Sequence, residues 1–297
     1  MGICIIQVPY MAGATHDGAS DGPRRYLQAG VDRLLGERGV AVTVERVERP
    51  RPFRDHQTAS LTVNEQLARV VRRAAGAGVG QLPLVLAGSC DVCMGILAGV
   101  DHACCGVIWI DAHGDFNTPA STTSGFFAGM SLAVIAGHCH RDHWGQIGDS
   151  TPVPEAGILM LGVRDLDPAE RDRLDNSAIR VVGWRDGKPQ GDVQASIDEL
   201  VKRVPDVYLH IDMDAFDPQV ALGIVDPPAP GGLSMRDMDE VIRAVAPRFR
   251  IRAVALATYN PGLDRDDKTL RAGLRIIDGL AACIGDRGPS AAYRSSG

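Results

Sequence analysis

The sequence predicts an α/β protein in three layers (α/β/α), with helices on both faces of a mostly parallel central sheet. Three observations predict it. Short β-branched apolar runs alternate with longer segments of helical period. The runs are apolar almost continuously rather than at every second residue. The chain, 297 residues at 45% hydrophobic composition, is long enough to bury a large core. Strands of that kind are buried on both faces, the condition of a parallel sheet between helical layers.

Taken in order, the strand candidates are GICIIQV, VAVTVERV, LPLVLAG, GVIWIDAH, GILMLGVR, IRVVGW, DVYLHIDMD and IRAVALATY. Between them, DGPRRYLQAGVDRLLGER, TVNEQLARVVRRAAGAG, VQASIDELVKRV and SMRDMDEVIRAVAP place apolar residues near i, i+3 and i+4, the helical period. The alternation reads as repeated βαβ units, and sites in such sheets form beyond the carboxyl ends of the strands. No internal repeat is visible. One catalytic domain is expected over 1–297, with a loose tail from about 286, in GDRGPSAAYRSSG.

A formal net charge of −6 and a pI near 5.7 argue against nucleic acid, whose binding needs clustered Lys and Arg. No run approaches a membrane span, and MGICIIQVPY lacks the basic start and long apolar core of a signal peptide; Ile6 also breaks the myristoylation pattern. Seven cysteines, with Cys104 and Cys105 adjacent, suit reduced thiols rather than a disulfide framework. The expected location is cytoplasmic.

Polar residues gather at the predicted strand ends. GVIWI runs into DAHGD, so Asp111, His113 and Asp115 share a face if strand geometry persists; VYLHI runs into DMD, which aligns His210, Asp212 and Asp214. Asp and His after strands are also ordinary turn and cap residues. Two such ends in one chain, however, bring together carboxylates that repel unless their pKa values rise or a cation neutralises them. Oxygen-rich donors with an imidazole suit a hard or borderline divalent ion such as Mn, and bridging carboxylates suit a pair of them. The third strand ends in LVLAGSCDVCMG. Its Cys90 and Cys93 are readable as a redox pair, half of a zinc site, or two unrelated thiols.

These residues resemble the arginase superfamily of ureohydrolases over nearly the whole chain. DAHGDFNTP at 111–119, HIDMDAFDP at 210–218 and PPAPGGLS at 227–234 are similar to its three signatures, and GPRRYLQAG, GVRDLDPAE and the NP of ATYNP add to the match. The resemblance implies an arginase-like fold, two Mn²⁺ per chain beyond the strand ends, and hydrolysis of guanidino or amidino groups. VLAGSCDVCMG then aligns with the family's V-L-G-G-D-H-S segment, and Cys90 falls on its ligating histidine. By the same carry-over, Cys90, Asp111, Asp115 and Asp212 hold one ion, and Asp111, His113, Asp212 and Asp214 the other. A thiolate is a softer ligand than imidazole and adds negative charge. Cys93 becomes a small buried apolar residue.

The resemblance makes Asp115 the residue that steers the attacking hydroxide and passes its proton. Asn117, Thr122 and Ser124 match residues that bind the α-carboxylate of arginine, and Asp167 and Glu170 match those that reach its α-amino group. The alternative for each is loop capping. Two positions depart from the family: Ala128, in SGFFAG, replaces the proton-shuttling histidine, and Thr258, in ATYNP, replaces the glutamate that holds the guanidinium. Loss of that histidine together with a Cys ligand resembles a branch of Nω-hydroxy-L-arginine amidinohydrolases that serves D-cycloserine biosynthesis, similar also at SGFFAGM. The expected activity is therefore hydrolysis of Nω-hydroxy-L-arginine to L-ornithine and hydroxyurea, within antibiotic biosynthesis. Arginase, agmatinase-like or other guanidino-acid hydrolases, and a catalytically silent regulatory homologue, remain alternatives.

His210 stands where the superfamily often has a small residue. It is either a hydrogen-bond donor or replacement proton carrier for the site, or a satisfied buried histidine. GHCHRDHWG, with His138, Cys139, His140 and His143, reads as a polar loop after a helix. The expected partner is a small-molecule amino acid, with neither nucleic acid nor membrane. A homo-oligomer is compatible, since family members are commonly trimers or hexamers.

Overall fold

The apolar runs pair side by side. In the computed structural model, which describes residues 2–11, 18–48, 55–76, 78–100, 102, 105–222 and 228–285, the strands in chain order are β1 (Ile3–Val8), β2 (Val42–Arg46), β3 (Leu82–Ala87), β4 (Cys105–Ile110), β5 (Ile158–Leu161), β6 (Arg180–Val182), β7 (Trp184–Arg185), β8 (Lys188–Pro189), β9 (Asp206–Asp212) and β10 (Arg250–Ala257). Eight of them form one sheet in the order β2-β1-β3-β10-β9-β4-β5-β6, every neighbouring pair parallel. Strands β7 and β8 make a separate antiparallel hairpin. Every residue of β3, β4 and β9 is buried, as continuous apolar runs require.

The helices are α1 (Gly22–Gln28), α2 (Val31–Glu37), α3 (His56–Ala75), α4 (Cys93–Gly99), α5 (Ser131–Ile135), α6 (Arg141–Ile147), α7 (Pro168–Asp175), α8 (Val193–Val201), α9 (Met235–Val245) and α10 (Lys268–Gly285). One face of the sheet is covered through Val63, Leu67, Ile96, Leu132 and Trp144 of α3 to α6. The other is covered through Tyr26, Leu35, Ile197, Val241 and Ile276 of α1, α2, α8, α9 and α10. Side chains of this size stabilise by ~1.5–3 kcal/mol each when fully buried. Capping fixes where helices start: Asp55 accepts from Thr58 N at 2.7 Å, Asp192 from Ala195 N at 2.9 Å, and Ser234 with Asp237 forms a capping box. This is the three-layer α/β/α arrangement that the sequence predicts. Among the described residues no helix is long and apolar enough to cross a membrane.

Three local expectations need correction. DGPRRYLQAGVDRLLGER forms two helices, because the chain turns at Gly30, whose φ of +81° suits glycine. IRVVGW is two strands, β6 in the sheet and β7 in the hairpin. GHCHRDHWG is largely the helix α6 rather than a loop: Trp144 is fully buried and donates to Met94 O at 3.1 Å, so tertiary packing organises a segment that reads as polar. The tail from about 286, Cys104 and the start of PPAPGGLS lie outside the described residues.

Candidate active site

Four neighbouring strands, β3-β10-β9-β4, end at the same edge, and each delivers one polar residue just beyond or at its end: Cys90, Thr258, Asp212 and Asp111. The Cys90 turn is held from outside the sheet. Ser60 Oγ of α3 donates to the buried Asp91, and Asn64 Oδ1 accepts from Gly95 N at 3.0 Å. A Cβ on Gly95 would lie 2.7 Å from Asn64, so only glycine lets α4 seat this close. So pinned, Cys90 points inward and its thiol donates to Asp212 Oδ2 at 2.9 Å.

Asp111 follows the last residue of β4. Its Oδ1 accepts from His113 N at 2.7 Å and its Oδ2 from Trp109 Nε1 at 3.1 Å. His113 Nδ1 lies 3.0 Å from Asp214 Oδ2 and 3.4 Å from Asp111 Oδ1. Asp212 Oδ1 accepts from Asp214 N at 2.8 Å and from Thr258 Oγ1. Thr258 holds a left-handed φ of +67°, a costly conformation for a β-branched residue and one that concentrates at functional sites. Arg164 clamps the turn after β9: its guanidinium donates to Asp214 O at 2.8 Å, Ala215 O at 3.0 Å and Phe216 O at 3.0 Å, which fixes Asp214 against His113.

The donor atoms form two groups. Those of Cys90, Asp111, His210 and Asp212 lie within 4.8 Å of one another, as do those of Asp111, His113 and Asp214. Asp111 belongs to both. The D-x-H-x-D expectation is corrected here: strand geometry stops at Ile110, and Asp115 takes a φ of +46°. Its carbonyl accepts from Leu132 N and Ala133 N at the start of α5, at 2.9 and 3.1 Å. Asp115 therefore lines the same cavity without joining either tight group, and its Oδ2 is buried with no partner. His210, two residues before Asp212 on β9, takes the remaining place in the first group.

Burial, then the neighbouring carboxylate Asp214, pushes Asp111 up to about 7. Asp115 and Asp212 are also raised well above the usual carboxylate range, first by burial and then by other carboxylates of the cluster, and the Cys90 thiol is raised by burial and by Asp212. His113 is raised by the charge of Asp214; burial alone would raise Asp214, but the charge and hydrogen bond of His113, with hydrogen bonds from Asp111 and Ala112 N, together depress it. Protons thus stand where a cation is otherwise required. The donor set, thiol, carboxylates and imidazoles with two buried unpartnered atoms (Asp115 Oδ2 and His210 Nε2), fits divalent metal. Because metal-free Asp111, Asp115, Asp212 and Cys90 hold protons that ligation must remove, binding is expected to release protons. Apparent affinity for Mn²⁺ is expected to rise by tenfold or more per pH unit between about pH 6 and about pH 8. Titration calorimetry in buffers of different ionisation enthalpy checks this; pH-independent affinity would contradict it.

The cavity beside the cluster has a volume of about 410 Å³ and takes in Asn117, Thr122, Ser124, Asp167, Glu170, Ala128 and Thr258, within the usual range for small-molecule sites. Asn117 Nδ2 donates to Asp167 Oδ2 at 3.0 Å, and Glu170 Oε1 accepts from Phe116 N at 2.8 Å. Thr122 and Ser124 accept from Gly125 N and Phe126 N at 3.0 and 3.2 Å, the capping geometry that the sequence leaves as an alternative. Among the described residues neither donor group includes Cys93 or any of His138, His140 and His143. Cys93 is buried in the core, and His138 pairs with Glu155 at 2.8 Å. Sequence reasoning passed over Arg164, Trp109 and Thr123, whose Oγ1 donates to Asp167 at 3.1 Å. GVRDLDPAE contained the signal for Arg164, an arginine beside a predicted strand end.

An open parallel sheet with a carboxylate and imidazole crevice beyond its strand ends has the form of a metal-dependent enzyme site. The chain matches the arginase family over residues 1–283 and belongs to that family. It is 31% identical over 297 residues to an arginase of Brevibacillus brevis, covering 95% of this chain and 97% of the relative. It is 32% identical over 298 residues to an arginase of Bacillus caldovelox, covering 94% and 97%. The solved arginase structure from Bacillus caldovelox superposes with a TM-score of 0.87 at 30% identity, covering 94% of this chain and 98% of the other. Enzymes of this family are hydrolases of guanidino or amidino groups that depend on two metal ions, and they act on small molecules.

Proposed function

We propose that this protein is a binuclear manganese amidinohydrolase whose substrate is Nω-hydroxy-L-arginine, cleaved to L-ornithine and hydroxyurea. The observation that carries it is the pairing of an intact donor cluster with an altered guanidino end. Ala128 is buried on the cavity wall with no proton to give, and Thr258 directs its hydroxyl to Asp212 rather than offering a charge to the substrate.

Cys90, Asp111, His113, Asp212 and Asp214 would hold the ions, and Asp115 lines the cavity beside them. When bound, the ions supply Lewis-acid charge that makes hydroxide available from water near neutral pH. Asp115, with its buried free Oδ2, orients the attacking water and takes its proton. Asn117, Thr122 and Ser124 receive the α-carboxylate, and Asp167 and Glu170 the α-amino group, which sets the reach of the side chain into the cavity. Water adds at the guanidino carbon, the bond from that carbon to the δ-nitrogen breaks, and the δ-nitrogen leaves as the ornithine amine with a proton. A hydroxyguanidine is less basic than a guanidine. It needs no counter-charge at 258, whereas a cationic guanidinium there would be desolvated beside a metal centre without a carboxylate. L-arginine itself is the second reading, favoured by the relatives of about 30% identity that are arginases.

Purified protein is expected to bind about two Mn²⁺ per chain, to lose activity with chelator, and to release hydroxyurea from the hydroxylated substrate. Cys90→His should keep both ions with altered kcat, and Cys90→Ala should weaken one ion by ~10–100-fold. Mass spectrometry of metal content and products decides. A single tetrahedral Zn on Cys90 and Cys93, or identical metal content and rates in all three forms, would reject the assignment.

A further inference from the structure

We propose that His210 is itself a ligand of the ion held at Cys90, its Nε2 completing a donor set with Cys90, Asp111 and Asp212. The inference rests on the metal reading of the site. Register places residue 210 of β9 directly opposite Trp109 of β4, and the two rings stack with centroids 3.7 Å apart and planes 5° apart. Tyr208, the preceding residue on the same strand face, sets its hydroxyl 2.6 Å from His210 Nδ1. Stack and hydrogen bond together fix both the plane of the imidazole and its rotation within that plane.

What remains is Nε2. The residue is fully buried and Nε2 has no partner, whereas buried polar atoms are ordinarily satisfied. A histidine kept only for packing would be expected to spend that nitrogen on a neighbour. Here a ring nitrogen sits among the thiol of Cys90 and the carboxylates of Asp111 and Asp212, all donor atoms within 4.8 Å. In the tautomer whose Nδ1–H donates to Tyr208 Oη, Nε2 presents a lone pair, the arrangement by which metal-binding histidines are oriented through their other nitrogen. The charge count agrees. The thiolate of Cys90 and the carboxylates of Asp111, Asp212 and Asp214 already balance the charge of two divalent ions, so a further donor is best neutral, and imidazole lies between thiolate and carboxylate in softness. Ala253, Ala255 and Ala257 of the adjoining β10 share the core cluster with Trp109 and Tyr208, and their small side chains leave room for the two stacked rings.

The test is X-ray absorption of the full chain loaded with Co²⁺, paired with chelator competition. With His113 and His210 each bound, the wild type should show about one imidazole per cobalt averaged over both ions; His210→Gln should halve it and weaken one ion by ~100-fold while the other stays. Tyr208→Phe should retain the imidazole count but lose ~10-fold in affinity for one ion, a split that a packing role would not produce. About half an imidazole per cobalt in the wild type, or unchanged affinities in His210→Gln, overturns the inference and leaves the hydrolase reading standing. A wild type that takes up no divalent ion overturns both. Should His210→Gln fail to fold, the wild-type imidazole count and Tyr208→Phe decide.

Discussion

Asp115→Asn is expected to lower kcat by about a thousandfold while most of the metal stays bound. The expectation follows from where the chain puts this carboxylate. Its backbone, at φ +46°, is held by two amide donors from α5, and its Oδ2 is buried against the cavity without a partner. Asparagine keeps the shape and one oxygen donor but cannot take a proton from water. General base catalysis contributes ~10²–10⁴-fold, so the loss should fall in kcat, with KM changing little. Stopped-time assays with metal content measured on the same samples check it. A variant with undiminished kcat would move the base elsewhere in the cluster.

The second large effect is on substrate choice. Nω-hydroxy-L-arginine is expected to exceed L-arginine in kcat/KM by ~100-fold or more, the size of a missing acid or base contribution. Ala128 gives no shuttle and Thr258 no counter-charge, so a cationic guanidinium is disfavoured both on entry and at departure of the amine. Agmatine, which lacks the carboxylate assigned to Asn117, Thr122 and Ser124, is expected to react more slowly than either amino acid. Equal rates for agmatine and the amino acids would remove the rim residues from recognition.

Much of this architecture is legible in the sequence for a physical reason: strands buried on both faces are apolar at every position, and β3, β4 and β9 are buried throughout. Asp111 and Asp212 are readable because a carboxylate directly after such a run has nowhere to go but the strand end. Asp115 is less so, since its orientation depends on a positive φ that D-x-H-x-D does not announce. The stacking of His210 on Trp109 depends on the register between two strands far apart in sequence, which periodicity does not contain. Helix α6 owes its form to burial of Trp144, a tertiary effect. Helix α10, by contrast, carries Leu270, Leu274, Ile277 and Ala281 at helical spacing, a periodicity legible in the sequence.

The most direct test of the central claim is a competition experiment: manganese-loaded enzyme with equal concentrations of Nω-hydroxy-L-arginine and L-arginine, following hydroxyurea and urea together. The ratio of initial product rates is the ratio of kcat/KM. The proposed function predicts hydroxyurea ahead by ~100-fold or more. Urea formed as fast as hydroxyurea, or faster, would contradict it and mark the chain as an arginase that works without a histidine at 128 or a glutamate at 258.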